Sequence, residues 1–221
     1  MFFSGCDVEL LPNMDFLQSM PHRITNGIIQ YRTDGFFNRL AQTRDQRDRH
    51  RELVTVAVTM ADIYPDDKWN FVYGEAEIED GFGVYSFARL DPLFNEAKQT
   101  SVDTLLTNEQ RALMLRRCIS TMLHELGHLF GMEHCIYYLC MMNGANHEAE
   151  MDRQPSYLCP VCLHKLYSSL QFDVRQMYAS FANLCEQHSL EEESVWYRQR
   201  DRKSTRLNSS HSTLSRMPSS A

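Results

Sequence analysis

The sequence predicts an α+β fold, and three observations predict it. A β-branched segment, LVTVAVTMADIY (53–64), alternates Val54, Val56 and Val58 with Thr55, Ala57 and Thr59, and stops at Pro65. Two further strand-like runs, FVYGEAEIE (71–79) and GVYSFARL (83–90), flank the turn residues Asp80-Gly81, which signals a hairpin. Beyond residue 107 the apolar spacing becomes helical, first up to about Phe130 and again over 163–188.

Each element has its own local reason. Val8–Pro12, VELLP, reads as a short strand closed by Pro12. Residues 24–40, ITNGIIQYRTDGFFNRL, mix β-branched and aromatic residues and then take on helical character. The run AQTRDQRDRHRE (41–52) carries charges of both signs and reads as a solvated loop or helix end. Residues 91–107 read as a loop. Thr107-Asn-Glu-Gln110 has the form of a capping box and opens the first long helix. Along it, Leu115, Ile119, Met122, Leu126 and Leu129 form a stripe expected to face the core. His124, His128 and Thr121 fall on the opposite side, roughly 200° away. The segment 163–188, with Leu163, Leu166, Leu170, Val174, Met177, Phe181 and Leu184, reads as one long amphipathic helix. Ser189-Leu-Glu-Glu192 reads as the capping box of a short final helix.

Composition narrows the classes of function. The chain has 221 residues, 43% of them hydrophobic and 23% charged, which is the balance of a globular protein large enough to bury a core. A net charge of −7 gives no general attraction to nucleic acid or to an anionic membrane. No apolar run reaches the roughly 20 residues needed to span a bilayer. The start, MFFSGCDVELLPN, lacks the basic region of a signal peptide. An intracellular chain, cytoplasmic or nuclear, is therefore expected, with its seven cysteines as thiols or metal ligands. The segment 201–221 is different in kind. It holds seven serines and a charge of +3 against a whole-chain −7, so the first 200 residues carry −10. It reads as a disordered tail or as non-native sequence, because DRKSTRLNSSH resembles the translation of a sequencing-library adapter.

The chemistry concentrates in HELGHLFGMEHCIYYLC (124–140). His124 and His128 are four apart on a helix, so both imidazoles project from one face toward one point. Gly131 can end the helix in a left-handed conformation and return the chain, bringing His134 to the same metal. Three protein ligands leave one coordination position open, which is the arrangement of a catalytic zinc. Glu125 leans to the same cleft and is placed to take a proton from water. Glu133 reads as solvated.

A second set begins at the next residue. Cys135 and Cys140 form a C-x4-C pair, and Cys159-Pro-Val-Cys162 a C-x2-C knuckle. Four thiolates in two short pairs suit a closed, structural zinc site. Buried free thiols, two disulfides, or a redox-active CPVC are the alternatives, and the redox reading leaves Cys135 and Cys140 unexplained. Cys6, Cys118 and Cys185 stand alone and read as isolated thiols.

Together, HELGHLFGMEHC, the C-x4-C pair, the Met two residues after Cys140 and the later CPVC resemble the archaemetzincins, a branch of the metzincin metallopeptidases. The resemblance is strongest over 120–166. It implies His124, His128 and His134 as catalytic zinc ligands, Glu125 as base, and Cys135, Cys140, Cys159 and Cys162 as ligands of a second zinc. Met142, fixed by the C-x-M spacing, becomes the Met-turn residue beneath the first zinc. It also implies a three-layer α/β/α-like N-terminal subdomain with a mixed twisted sheet, and a small helical, zinc-stabilised C-terminal subdomain. The corresponding division is a single catalytic domain over 1–200, split into 1–131 and 132–200, with an N-terminal subdomain expected to be short. By the same analogy GVYSFARL is the edge strand that binds an extended peptide by β-augmentation. No residue after Met142 matches a metzincin oxyanion tyrosine. His147, Tyr157 and Arg89 are the remaining candidates.

The function expected is a zinc-dependent metallopeptidase, aminopeptidase-like by resemblance, with two zinc ions per chain and a peptide or protein as substrate. The competing class is a non-catalytic, two-zinc peptide-binding or structural protein, a truncated form.

Overall fold

The computed structural model describes residues 7–15, 17–45, 52–94 and 105–200. Cys6, the middle of the mixed-charge run (46–51), residues 95–104 and the segment 201–221 lie outside the described residues. Residues 10–166 form one compact unit, and a helical unit begins at Tyr167.

The first unit opens with β1 (His22–Thr25) and β2 (Ile28–Arg32), joined by Asn26-Gly27, both at positive φ. An Asn-Gly pair between two apolar strands is the residue choice for a tight hairpin. Helix α1 (Thr33–Asp45) follows directly, so the strand-to-helix change expected over 24–40 is present. VELLP forms no strand: Val8 and Leu10 are exposed, and an apolar pair without a pairing edge gains nothing from an extended ladder.

The single strand expected over 53–64 divides into β3 (Thr55–Thr59) and β4 (Asp62–Tyr64). The break has a local cause, since the Thr59 hydroxyl accepts the Ala61 N–H at 3.0 Å and turns the chain. As a result the two halves join different sheets. Strands β1, β2 and β4 form one, antiparallel then parallel. Strand β3 pairs in parallel with β6 (Phe82–Ser86), which pairs antiparallel with β5 (Gly74–Glu77). The hairpin across Asp80-Gly81 is thus real, with Gly81 at φ +67°. An isolated bridge ties Ile63 of β4 to Val72, just ahead of β5.

Register explains why all five residues of β6 are buried. Val84 packs with Phe36 of α1, Met20 and Ile63. Gly83 and Tyr85 face the other way, toward helix α2 (Asn108–Leu129): a Cβ on Gly83 would lie 3.1 Å from Leu129, and one on Gly74, opposite Tyr85, 2.8 Å from Glu125. The sheet is therefore covered on both faces, α1 on one and α2 on the other. This layering also overturns the edge-strand expectation. GVYSFARL supplies the central strand; among the described residues the edges are β3 and β5, the latter carried outward by the hairpin on the side of Glu125.

Helix α2 starts at the predicted capping box. Thr107 accepts from the Gln110 N–H and Gln110 from that of Thr107. Its buried residues are Cys118, Thr121, Leu123, Gly127 and Leu129; of the predicted stripe only Leu129 is among them, while Leu115, Ile119, Met122 and Leu126 are half-buried. The reason is a second cover. Met132, Met142 and Met151 pack on the side opposite the sheet, and the Thr121 hydroxyl lies 3.6 Å from the Met151 sulfur.

Near β4 a buried charge is neutralised. Arg89 donates twice to Asp62, at 2.7 Å each, and Gln30 donates to the same carboxylate at 2.9 Å. Replacing Arg89 with Met would leave Asp62 buried and unpaired. A loss of about 3–5 kcal/mol is expected in a urea unfolding curve.

Past the short helix α3 (Glu148–Met151), the helix expected over 163–188 is two helices, α4 (Pro160–Leu170) and, in the second unit, α5 (Val174–Gln187). Gln171 has φ +52°, and Asp173 caps α5 by accepting from the Arg175 and Gln176 N–H groups. Residues 191–200 are helical, as expected. Ser189 does not cap them: at φ +58° it ends α5, whose Cys185 carbonyl accepts the Leu190 N–H. Phe181, Tyr178, Trp196 and Tyr197 pack their rings together in this unit.

Candidate metal centre

Helix α2 carries His124 and His128 one turn apart, and a Schellman ending returns the chain. The Met132 N–H donates to Gly127 O at 3.0 Å, the Gly131 N–H to His128 O at 2.9 Å, and Gly131 has φ +79°. That turn brings His134 back. One nitrogen of each of the three rings lies within 4.8 Å of the others.

The histidines are oriented by backbone carbonyls. His124 Nδ1 lies 2.8 Å from Met141 O, and His128 Nδ1 2.6 Å from Met132 O. A carbonyl only accepts, so each Nδ1 carries the proton and each Nε2 presents a lone pair. The two Nε2 atoms face each other at 3.0 Å. Two lone pairs at that distance repel unless a cation lies between them. Nitrogens about 2.0–2.1 Å from a tetrahedral zinc are roughly 3.3 Å apart, so the donor set fits that ion. Burial lowers the His124 pKa to about 4, and lowers that of His128 too, so neither ring needs to shed a proton near neutrality.

Met142 is fully buried. Its sulfur and methyl group lie 2.6 and 2.9 Å from where a Cβ on Gly127 would sit, against the helix turn between the two histidines. Met141 contributes through its carbonyl. The adjacent methionines thus do different work, one packing and one orienting His124.

Glu125 is pressed against β5. The Cβ position of Gly74 is 2.8 Å from its Cγ and 3.0 Å from the Tyr85 ring. Two glycines, Gly74 and Gly83, keep this face of the sheet bare, so the Tyr85 ring lies flat along it beside Glu125. Burial, assisted by the charge of Glu75, raises the Glu125 pKa from 4.5 to about 7. Burial and the Glu125 charge also raise the pKa of Tyr85. The Tyr85 hydroxyl is buried with no hydrogen-bond partner among the described residues. Sequence reasoning missed Tyr85, Gly74 and Gly83, although a glycine inside a strand signals close approach by another group.

The four cysteines converge as well. Cys135, Cys140, Cys159 and Cys162 are buried and unbridged, with sulfurs within 4.8 Å of one another. Cys135 Sγ and Cys159 Sγ are 3.7 Å apart. That is far beyond a disulfide bond of about 2.05 Å. It matches the edge of a tetrahedron, about 3.8 Å, with metal–sulfur bonds of about 2.3 Å. Backbone N–H groups of Met142 and Cys159 point at Cys140 Sγ, and that of Cys162 at Cys159 Sγ. Such donors stabilise thiolates, and Pro160 places the knuckle at the first turn of α4. Burial, assisted by the charge of Cys159, still raises the Cys140 thiol to about 11 against those donors, a cost that a bound dication would remove.

Two of the oxyanion candidates, Arg89 and His147, are engaged elsewhere, and Tyr157 is placed by its backbone. Arg89 is held by Asp62 and stacks 3.7 Å from the Phe71 ring. His147 caps α3 (Glu148–Met151). The Tyr157 carbonyl accepts the Met141 N–H. Cys118 and Cys185 are buried single thiols.

A histidine set on a helix and its return turn, followed at once by a cysteine cluster, is an arrangement that could hold zinc twice, as a family of zinc metallopeptidases would require. The chain belongs to peptidase family M54, which it matches over residues 10–168. Archaemetzincins are among the curated relatives it matches. It is 38% identical over 149 residues to human archaemetzincin-2, covering 61% of this chain and 41% of that protein. It is 31% identical over 199 residues to mouse archaemetzincin-1, covering 80% and 39%. The chain thus spans about two fifths of the length of these relatives. A crystal structure of a zinc-dependent peptidase from Methanocorpusculum labreanum superposes with a TM-score of 0.50 at 26% identity, covering 62% of this chain and 74% of that one. No helix among the described residues is long and apolar enough to cross a membrane.

Proposed function

We propose that this chain hydrolyses peptide bonds with one zinc held by His124, His128 and His134, and that a second zinc, held by Cys135, Cys140, Cys159 and Cys162, is structural. The observation that carries the reading is the pair of Nε2 lone pairs facing each other at 3.0 Å, with the half-buried carboxylate of Glu125 on the same helix. A zinc ion there supplies a Lewis acid and lowers the pKa of water toward about 7. Met141 O and Met132 O fix the tautomers of His124 and His128. Glu125 takes the proton of the attacking water and passes it to the leaving amine nitrogen. Gly74 and Tyr85 fix the rotamer of Glu125, and the buried surroundings keep its carboxyl near the protonation midpoint that such a shuttle needs. Edge strand β5, beside Glu125, is the strand an extended peptide would join. Gly131 divides the catalytic domain, read as 1–200, into its two subdomains, 1–131 and 132–200.

We read the activity as aminopeptidase-like. Peptides with a free N-terminus should be cut faster than their N-acetylated forms, with single residues released from the amino end. Mass spectrometry of the products decides it. Equal rates with internal fragments would show an endopeptidase, and no cleavage of either by the zinc-loaded protein would favour the two-zinc binding protein.

A further inference from the structure

Between the two ligand sets the chain carries four large apolar side chains in succession. Ile136, Tyr137, Tyr138 and Leu139 are 86, 60, 60 and 76% exposed. Single exposed apolar residues are ordinary, but a run of four marks a contact surface. The loop's ends are buried in the cysteine cluster. Asn143 clamps it from within: Nδ2 donates to Cys135 O at 2.7 Å and to Tyr138 O at 3.0 Å, and Oδ1 accepts the Cys140 N–H at 2.8 Å. Backbone polar groups are thus satisfied inward while the side chains stand outward.

This loop adjoins the histidine site. Gly144, next to the clamp, lies against the His134 ring, its Cβ position 3.2 Å from Nδ1. His134 is the exposed member of the three histidines, so solvent reaches the ligand set on its side. Ile136 follows two residues later, which keeps their Cα atoms within about 7.6 Å. An extended peptide advances about 3.3–3.6 Å per residue. Residues two or three places from a bond held at the histidines are therefore in reach of the loop.

We propose that Ile136–Leu139 is a docking surface for apolar side chains of the substrate flanking the scissile bond. The proposal rests on the peptidase reading and names its substrate class: peptides apolar near the cut. The preformed loop would bind them with little ordering cost. A net charge of −10 over residues 1–200 disfavours an anionic lipid surface as the occupant.

The test replaces all four residues with Ser, and separately Tyr138 alone in case the fourfold variant folds poorly, with metal content checking both. Two peptides are compared on the zinc-loaded chain, one with Leu and Phe around the bond and one with Ser and Asn. The preference in kcat/KM for the apolar peptide should fall about tenfold in the fourfold variant, and less in Tyr138→Ser. The same peptides are titrated into the Glu125→Gln protein with and without the loop changes. Affinity for the apolar peptide should fall in parallel. If neither peptide is cut, the peptidase reading fails and this titration alone decides the docking surface. Unchanged preference and affinity overturn the proposal. So does binding to phosphatidylcholine vesicles, or a dimer, that the variant loses while the peptide preference stays.

Discussion

Glu125→Gln is expected to keep zinc at the histidine site and to lower peptide hydrolysis by about 10²–10⁴-fold. The amide matches the carboxylate in size, so packing against Gly74 and Tyr85 is preserved. It does not accept a proton, so the relay from water to the leaving nitrogen stops. The measurement is single-turnover cleavage of a peptide library, with metal content determined on the same preparation. Parent-level activity in the variant would remove Glu125 from the mechanism. Loss of both metal and activity would make it a structural residue instead.

Cys140→Ser is expected to empty the cysteine site and also to weaken the histidine site. Hydroxyl replaces thiolate, a far poorer zinc ligand at neutral pH. The second effect follows from connectivity. The Cys135 N–H donates to Met142 O at 2.8 Å, and Asn143 links the Cys140 N–H to the Cys135 carbonyl. Met141, between Cys140 and Met142, supplies the carbonyl that orients His124. Losing such an orienting partner costs about 10–100-fold in metal affinity. Competition titration with a chromophoric chelator reads that shift. Parent-level affinity at the histidines would show that the two sites are neighbours without being coupled.

Both clusters that could hold a metal were legible in the sequence because their spacing is short and chemically specific. His124 and His128 needed one helical turn, His134 needed Gly131, and the cysteines needed only to come in pairs. The capping box at Thr107 and the hairpin at Asp80-Gly81 were legible for the same reason: local residues determine them. Errors arose where distant contacts decide. The stripe through Leu115 and Ile119 assumed one covered face of α2, but the sheet and the methionines Met132, Met142 and Met151 cover two. GVYSFARL read as an edge because strand order is not local. The LVTVAVTMADIY strand broke at a Thr59–Ala61 turn that its Val alternation concealed. Asn26-Gly27 and Asp173 were legible signals that the strand and helix patterns around them obscured.

Metal content tests the central claim most directly, that an open histidine site and a closed cysteine site share this chain. Elemental analysis of the purified protein should find two zinc ions per chain, with a mild chelator removing one and leaving the other. One zinc or none in the fully metallated preparation, or a reversible Cys159–Cys162 disulfide in its place, would contradict it.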